Sequence, residues 1–189
     1  MNIIDLFAGI GGLSYGFKKS GLNILLANEI DNKISESYLL NHPETKMINL
    51  PIQDFIAEIE KENIDIKNKI SGVVGGPPCQ GFSAAGKRNR KKFIDDPRNY
   101  LFRDYIEVIK YCNPDFFVME NGPGFLTMNG GEIFEEVVKT FSDESIFKNG
   151  VYHLSHAIVN AYDLGVPQTR KRLIVIGTKK PAFDLSEKI

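Results

Sequence analysis

The chain has 189 residues, 42% of them hydrophobic and 25% charged, with a formal net charge of −1. Those values suit one domain spanning residues 1–189, large enough to bury a substantial core. They exclude a strongly basic nucleic-acid binder by net charge. Two cysteines, Cys79 and Cys112, make no disulfide framework, and no CxxC or Cys/His cluster points to zinc or another metal. The chain opens on a strand-like run without a basic, then apolar, leader. No apolar run reaches membrane-spanning length. A reducing, cytoplasmic setting is the expectation.

In chain order, Asn2 to Phe7 reads as a buried parallel strand, Ala8 to Gly12 as a turn, and Leu13 to Ser20 as a helix closed by Gly21. Strand, glycine-rich turn and helix together bring backbone N–H groups and a helix N-terminus to a nucleotide-like ligand. The dinucleotide fingerprint needs a third glycine where Ser14 stands, which argues against NAD. A second strand, Asn23 to Ala27, leads to Glu29, twenty residues after Gly9. At that spacing a carboxylate can accept hydrogen bonds from ribose hydroxyls. Lys33 to Asn41 reads as a helix stopped by His42-Pro43, and Asp54 to Asn63 as another helix.

A β-branched run then enters Gly75-Gly76-Pro77-Pro78-Cys79, a rigid turn that sets a cysteine just past a strand end. Residues 81–99 read as a long polar loop with Lys87, Arg88, Arg90, Lys91 and Lys92 clustered in it. Leu101, Tyr105, Val108, Ile109 and Cys112 recur at helical spacing, with Cys112 in the core. Asp115 to Glu120 is an apolar strand ending in a glutamate, and Ile133 to Phe141 an amphipathic helix. Tyr152 to Tyr162 and Leu173 to Gly177 read as strands around Gln168-Thr169-Arg170-Lys171-Arg172. Arg170 and Arg172, two apart on extended backbone, should share a face. The alternation predicts an α/β fold: a doubly wound, mostly parallel sheet with ligands held at strand C-termini. The basic clusters make a phosphate backbone a reasonable partner.

These segments resemble the motifs of the DNA (cytosine-5)-methyltransferases of restriction-modification systems. Asp5-Leu6-Phe7-Ala8-Gly9-Ile10-Gly11-Gly12 resembles the family's first motif and Asn28-Glu29-Ile30-Asp31 its second. Gly76 to Ser83 resembles the nucleophile motif, Met119-Glu120-Asn121 the Glu-Asn motif, and Gln168 to Arg172 the Gln-x-Arg-x-Arg motif. The resemblance implies a Rossmann-like methyltransferase fold and the cofactor S-adenosyl-L-methionine, released as S-adenosyl-L-homocysteine. It implies cofactor contacts at Phe7, Ala8, Gly9, Gly11, Gly12, Leu13, Glu29, Ile30, Pro78 and Leu101. For catalysis it implies Cys79 as the nucleophile at cytosine C6, Glu120 at N3, Arg172 at the base carbonyl and Arg170 in support, with the base flipped out of double-stranded DNA. Gln80, Ser83, Lys87, Arg88 and Arg90 would contact DNA.

Three departures qualify the resemblance. The third-motif acid that meets the adenine amino group is missing over Ile48 to Ile52; only Asn49 or Asp54 could substitute, and the contact stays unassigned. The family's usual valine after Glu120-Asn121 is Gly122. The target-recognition region and the closing motifs lie beyond Ile189, as in a truncated product or in one subunit of a split enzyme whose partner polypeptide carries them. The expectation is an uncovered apolar face beside Ile3 to Phe7 and the helix from Leu13, and little sequence-specific activity from this chain alone. A tRNA cytosine methyltransferase ranks below, because that relative shows Pro-Cys-Gln-Pro-Phe-Thr where this chain has Pro-Cys-Gln-Gly-Phe-Ser. A non-catalytic cofactor- or DNA-binding remnant is the third reading.

Overall fold

The computed structural model describes residues 1–66, 69–78, 100–147 and 149–185. Its strands are β1 (Asn2–Leu6), β2 (Asn23–Asn28), β3 (Lys46–Ile48), β4 (Gly72–Gly75), β5 (Phe116–Asn121), β6 (His153–Asn160) and β7 (Lys171–Thr178). Its α-helices are α1 (Gly12–Lys19), α2 (Asn32–Asn41), α3 (Phe55–Lys61), α4 (Leu101–Cys112) and α5 (Glu132–Phe141). The strands form one mixed sheet in the order β3-β2-β1-β4-β5-β7-β6. No helix among the described residues is long and apolar enough to cross a membrane. The chain divides into two compact units, Met1–Pro77 with Phe102–Phe117, and Pro78–Leu101 with Val118–Ile189.

In the first unit β1 is flanked on both sides, pairing in parallel with β2 and with β4. Its Ile3, Ile4 and Leu6 are fully buried, as befits a strand covered on both faces in a parallel sheet, and Asp5 between them is buried too. The strand order reverses between β1 and β4, and at such a switch point the loops after the strands part to leave a crevice. β4 approaches β1 so closely that a Cβ on Gly75 would lie 2.5 Å from the Leu6 carbonyl oxygen. A Cβ on Gly72 would lie 2.3 Å from the Phe116 ring. Glycine here is a packing requirement. Asp31 caps α2, its Oδ1 accepting the Lys33 and Ile34 N–H groups at 2.9 and 3.0 Å. On α4, Tyr105, Val108, Ile109 and Cys112 are buried as their spacing predicts, and the Tyr105 hydroxyl donates to the Val73 carbonyl at 3.1 Å. Burial pushes the Cys112 thiol up to about 12, so it stays a thiol.

In the second unit β6 and β7 run antiparallel, with His153 opposite Thr178 and Asn160 opposite Lys171. Phe141, Phe147 and Tyr152 form an aromatic cluster with ring centroids 5.1 to 5.7 Å apart.

Two expected elements need correction. The helix expected over Asp54 to Asn63 begins as a 3-10 turn, Ile52–Asp54, and its α-helical part ends at Lys61, with Asn63 at φ +54°. The strand expected over Tyr152 to Tyr162 stops at Asn160, where the chain enters a 3-10 turn, Ala161–Leu164, closed by Gly165 at φ +84°.

Candidate cofactor and base sites

In the first unit the chain leaves β1 through an unusual backbone. Phe7 has φ +54°, and Gly9 and Gly11 follow at +57° and +91°. A phenylalanine in the left-handed region is strained, and such strain collects at functional turns. The Gly9 N–H donates to Glu29 Oε2 at 3.0 Å, while Glu29 Oε1 accepts the Asp31 N–H at 3.0 Å. The twenty-residue spacing seen in the sequence thus brings Glu29 onto the turn itself. Helix α1 starts at Gly12 with Gly11 as N-cap; Asp5 takes the first-turn Ser14 N–H, and no capping side chain takes the N–H groups before it, which are placed to meet an anionic group. A Cβ at Gly9 or Gly12 would meet nothing within 4 Å, so there is open space beside the turn. These features fit a nucleoside carrying a carboxylate, the chemistry of S-adenosyl-L-methionine.

Of the other expected cofactor residues, Ala8 is buried, Leu13 half-buried and Ile30 exposed in this unit, while half-buried Pro78 and Leu101 belong to the second. Asn49, in place of the third-motif acid, donates to the Glu29 carbonyl at 2.6 Å. A cavity of about 310 Å³ beside the turn is lined by Ile10, Gly11, Gly12, Tyr15, Asn41 and His42; it includes Gly11 and Gly12 but not Phe7, Glu29 or Ile30. The face expected to lack cover, beside Ile3 to Phe7 and the helix from Leu13, divides in two: the strand is buried, while the helix exposes Tyr15. Ile3, Ile4 and Leu6 are covered, and the apolar exposure sits on Ile10 (62%), Tyr15 (57%) and Leu40 (85%).

Behind the turn lies a buried polar chain that the sequence did not announce. Asp5, fully buried on β1, accepts the Ser14 N–H at 3.2 Å and the Ser14 hydroxyl at 2.6 Å through Oδ2. Ser14 in turn shares a hydrogen bond of 2.7 Å with the Tyr38 hydroxyl. Burial pushes the Asp5 carboxyl up to about 7, the two Ser14 bonds pull it down, and the charge of Glu29 raises it further. Burial also pushes Tyr38 up to about 12. Serine thus replaces the third fingerprint glycine to tie α1 to β1 and α2.

In the second unit Glu120, Arg170 and Arg172 line one cavity of about 420 Å³ with Val159, Ala161, Leu164, Ile174 and Leu185. Arg172 Nε donates to Glu120 Oε1 at 2.6 Å, and Arg172 Nη1 to the Lys171 carbonyl at 2.8 Å. The predicted common face of the two arginines is realised. Arg170 is placed by its backbone, because its N–H donates to Asn160 Oδ1 at 3.1 Å and its carbonyl accepts the Ala161 N–H at 3.0 Å. The sequence carried no signal for Asn160, which meets Arg170 only after the β6–β7 return. The cavity presents a carboxylate and two guanidinium groups within apolar walls, a set able to hold a flat polar ring by its edge. Cys79, Gln80, Ser83, Lys87, Arg88 and Arg90 lie outside the described residues.

Comparison with known proteins follows this geometry. The model of the C-5 cytosine-specific DNA methylase family matches residues 1–188. The type II methyltransferase M.DdeI of Desulfomicrobium norvegicum is 43% identical over 180 residues, covering 95% of this chain and 41% of the relative. M.AquIA of Picosynechococcus is 34% identical over 94% of this chain and 71% of its own length. Among solved structures, a DNA modification methyltransferase encoded within an E. coli prophage superposes with a TM-score of 0.73 at 29% identity, covering all of this chain and 48% of that one. S. pombe Dnmt2 methyltransferase gives 0.72 at 25%, covering 99% and 54%. The chain spans less than half the length of the first curated relatives, 41%, 46% and 47%. Matched to the family model along nearly its whole length, with the Rossmann-like methyltransferase fold of these structures, the chain belongs to the C-5 cytosine-specific DNA methylase family.

Proposed function

We propose that the chain is the cofactor-binding and catalytic part of a restriction-modification enzyme that methylates C5 of cytosine in double-stranded DNA, acting in the cytoplasm. The observation that carries this reading is the Glu120–Arg172 pair with Arg170 in one cavity. S-adenosyl-L-methionine, when bound, supplies an electrophilic methyl group and leaves as S-adenosyl-L-homocysteine. The turn from Phe7 to Leu13, with Glu29 and Ile30, would hold it.

The chain's own residues do the rest. Cytosine C5 is a poor nucleophile while the ring is aromatic, so the Cys79 thiolate adds to C6 and moves electron density towards C5. Glu120, as the protonated acid, donates to N3 and offsets the charge that builds there, and Arg172 holds the base carbonyl. Once C5 carries the methyl group, a general base takes the C5 proton and the Cys79–C6 bond breaks, which restores the aromatic ring and frees the thiolate. The mutual ion pair of Glu120 and Arg172 keeps both groups in the cavity before the cytosine arrives. Arg170, anchored by Asn160, supports the same wall. The base must leave the stack to reach them. Gln80, Ser83, Lys87, Arg88 and Arg90 would contact the DNA around the vacated position.

The same reading gives the enzyme a second part, continuous with this chain or on a separate polypeptide, carrying target recognition. Phosphate contacts position DNA but do not read its bases. The exposed Ile10 and Tyr15, which line the cavity beside the turn, are apolar side chains of the kind such a part would cover. Transfer of labelled methyl groups to DNA, with and without the polypeptide encoded next door, tests this. Site-specific transfer only in the mixture is the expected result. Robust site-specific transfer by these 189 residues alone would remove the need for a second part.

A further inference from the structure

The residues expected to touch the cofactor account for one side of the glycine-rich turn. The other side is held by the last turn of α2, whose Asn41-His42 read in the sequence only as a helix stop before Pro43. Asn41 Nδ2 donates to the Ile10 carbonyl at 3.1 Å. His42, 1% exposed, places Nε2 3.0 Å from the Gly11 carbonyl oxygen. Only a protonated Nε2 can donate to a carbonyl, so the geometry selects the Nε2–H tautomer. Among the described residues the buried Nδ1 has no hydrogen-bond partner. The Tyr38 ring packs against the imidazole with centroids 4.7 Å apart. Tyr38 thereby links His42 to the Asp5–Ser14 pair that fixes the start of α1.

We propose that Asn41 and His42 are positioning residues for the cofactor, clamping the Ile10 and Gly11 carbonyls so that the peptide opening α1 faces the ligand. The inference rests on reading the turn as the cofactor site. Peptide units are planar and trans, so a carbonyl drawn to one side turns the next N–H to the other. With the Gly11 carbonyl held by His42 and by the Tyr15 N–H at 2.9 Å, the Gly12 N–H points away from His42. Gly12 is also the position where a Cβ would meet open space. The clamp explains Gly11 as well. A Cβ there would sit 2.3 Å from His42 Nε2, and φ is +91°. Gly11 is reserved for the histidine, while Gly12 is left open for the ligand. Without the clamp the Ile10 carbonyl loses its Asn41 bond and the Gly11 carbonyl keeps only the Tyr15 N–H, so the ligand must do more of the ordering at the expense of affinity.

The test is calorimetric titration of the full chain with S-adenosyl-L-homocysteine, with thermal unfolding of each variant alongside. Asn41 is exposed and alanine is the better helix former, so Asn41→Ala should leave Tm unchanged or slightly raised. Its Kd should nevertheless rise about fivefold, the worth of one hydrogen bond. His42→Leu keeps bulk but loses the donor, and Kd should rise about tenfold. His42→Gln, whose amide can donate to the same carbonyl, should recover most of that loss. If wild type binds and all three variants bind equally well, the clamp is refuted. Affinity that falls only in step with Tm also refutes it, because the role is then structural. Failure of the wild type to bind S-adenosyl-L-homocysteine overturns the cofactor reading of the turn, and the clamp with it.

Discussion

Replacing Asp5 by asparagine should make the protein more stable than wild type at alkaline pH by a margin that disappears in acid. The carboxyl is fully buried, and burial outweighs its bonds to Ser14, lifting it from 3.8 to about 7. Among the described residues its Oδ1 has no hydrogen-bond partner. The folded-state value lies above the unfolded one, so between pH 4 and 7 the folded protein keeps a proton that the unfolded chain releases. Stability therefore falls as pH rises through that window. A displacement of about three pKa units corresponds to about 4 kcal/mol once both states are ionised, with roughly 2–3 kcal/mol of it accruing between pH 5 and 8. Asparagine keeps an oxygen for the Ser14 N–H and hydroxyl but does not titrate. Its amide leaves a buried donor unpaired at a cost of about 1–3 kcal/mol, independent of pH. The readout is thus the difference between two differences. Urea unfolding of both proteins at pH 5 and pH 8 should show the variant gaining roughly 2–3 kcal/mol on wild type between them. Equal gaps at the two pH values would refute a buried, titrating Asp5.

Other outcomes follow from the packing. Gly75→Ala must push a Cβ within 2.5 Å of the Leu6 carbonyl and should lower stability by about 2 kcal/mol or more, whereas Gly12→Ala should spare the fold and weaken S-adenosyl-L-homocysteine binding; calorimetry and thermal melts separate the two. In a Cys79→Ser background, Cys112 should react with a disulfide reagent only after denaturation, since it is buried and held as the thiol. Arg172→Ala breaks a half-exposed ion pair, so its melting temperature should shift little. Adduct formation on DNA containing 5-fluorocytosine should drop by two orders of magnitude or more, read by gel shift under denaturing conditions.

What could be read from the sequence was what local pattern encodes. The buried strand β1, the helical spacing of Tyr105, Val108, Ile109 and Cys112, and the Gly9-to-Glu29 interval each survive as geometry. Strand β3 escaped notice because three residues carry no periodicity; it is held by Asn28, whose amide donates to the Ile48 and Leu50 carbonyls. Ser14 looked like a flaw in a fingerprint, because its partners Asp5 and Tyr38 are 9 and 24 residues away. His42 looked like a terminator, because its target carbonyl lies 31 residues back. The pairing of Glu120 with Arg172 was legible only through the family's motifs, since no local rule joins a β5 end to a β7 start. Side chains that act on another segment's backbone leave no periodic trace.

The central claim is that Cys79 of this chain attacks a flipped cytosine with Glu120 and Arg172 around the base. Its most direct measurement is covalent trapping on double-stranded DNA containing 5-fluorocytosine, with S-adenosyl-L-methionine and the neighbouring polypeptide present. Wild type should yield a denaturation-resistant protein–DNA adduct mapping to Cys79. Cys79→Ser should yield none while still binding S-adenosyl-L-homocysteine. An adduct that persists in Cys79→Ser, or one that maps to another residue, would contradict the claim.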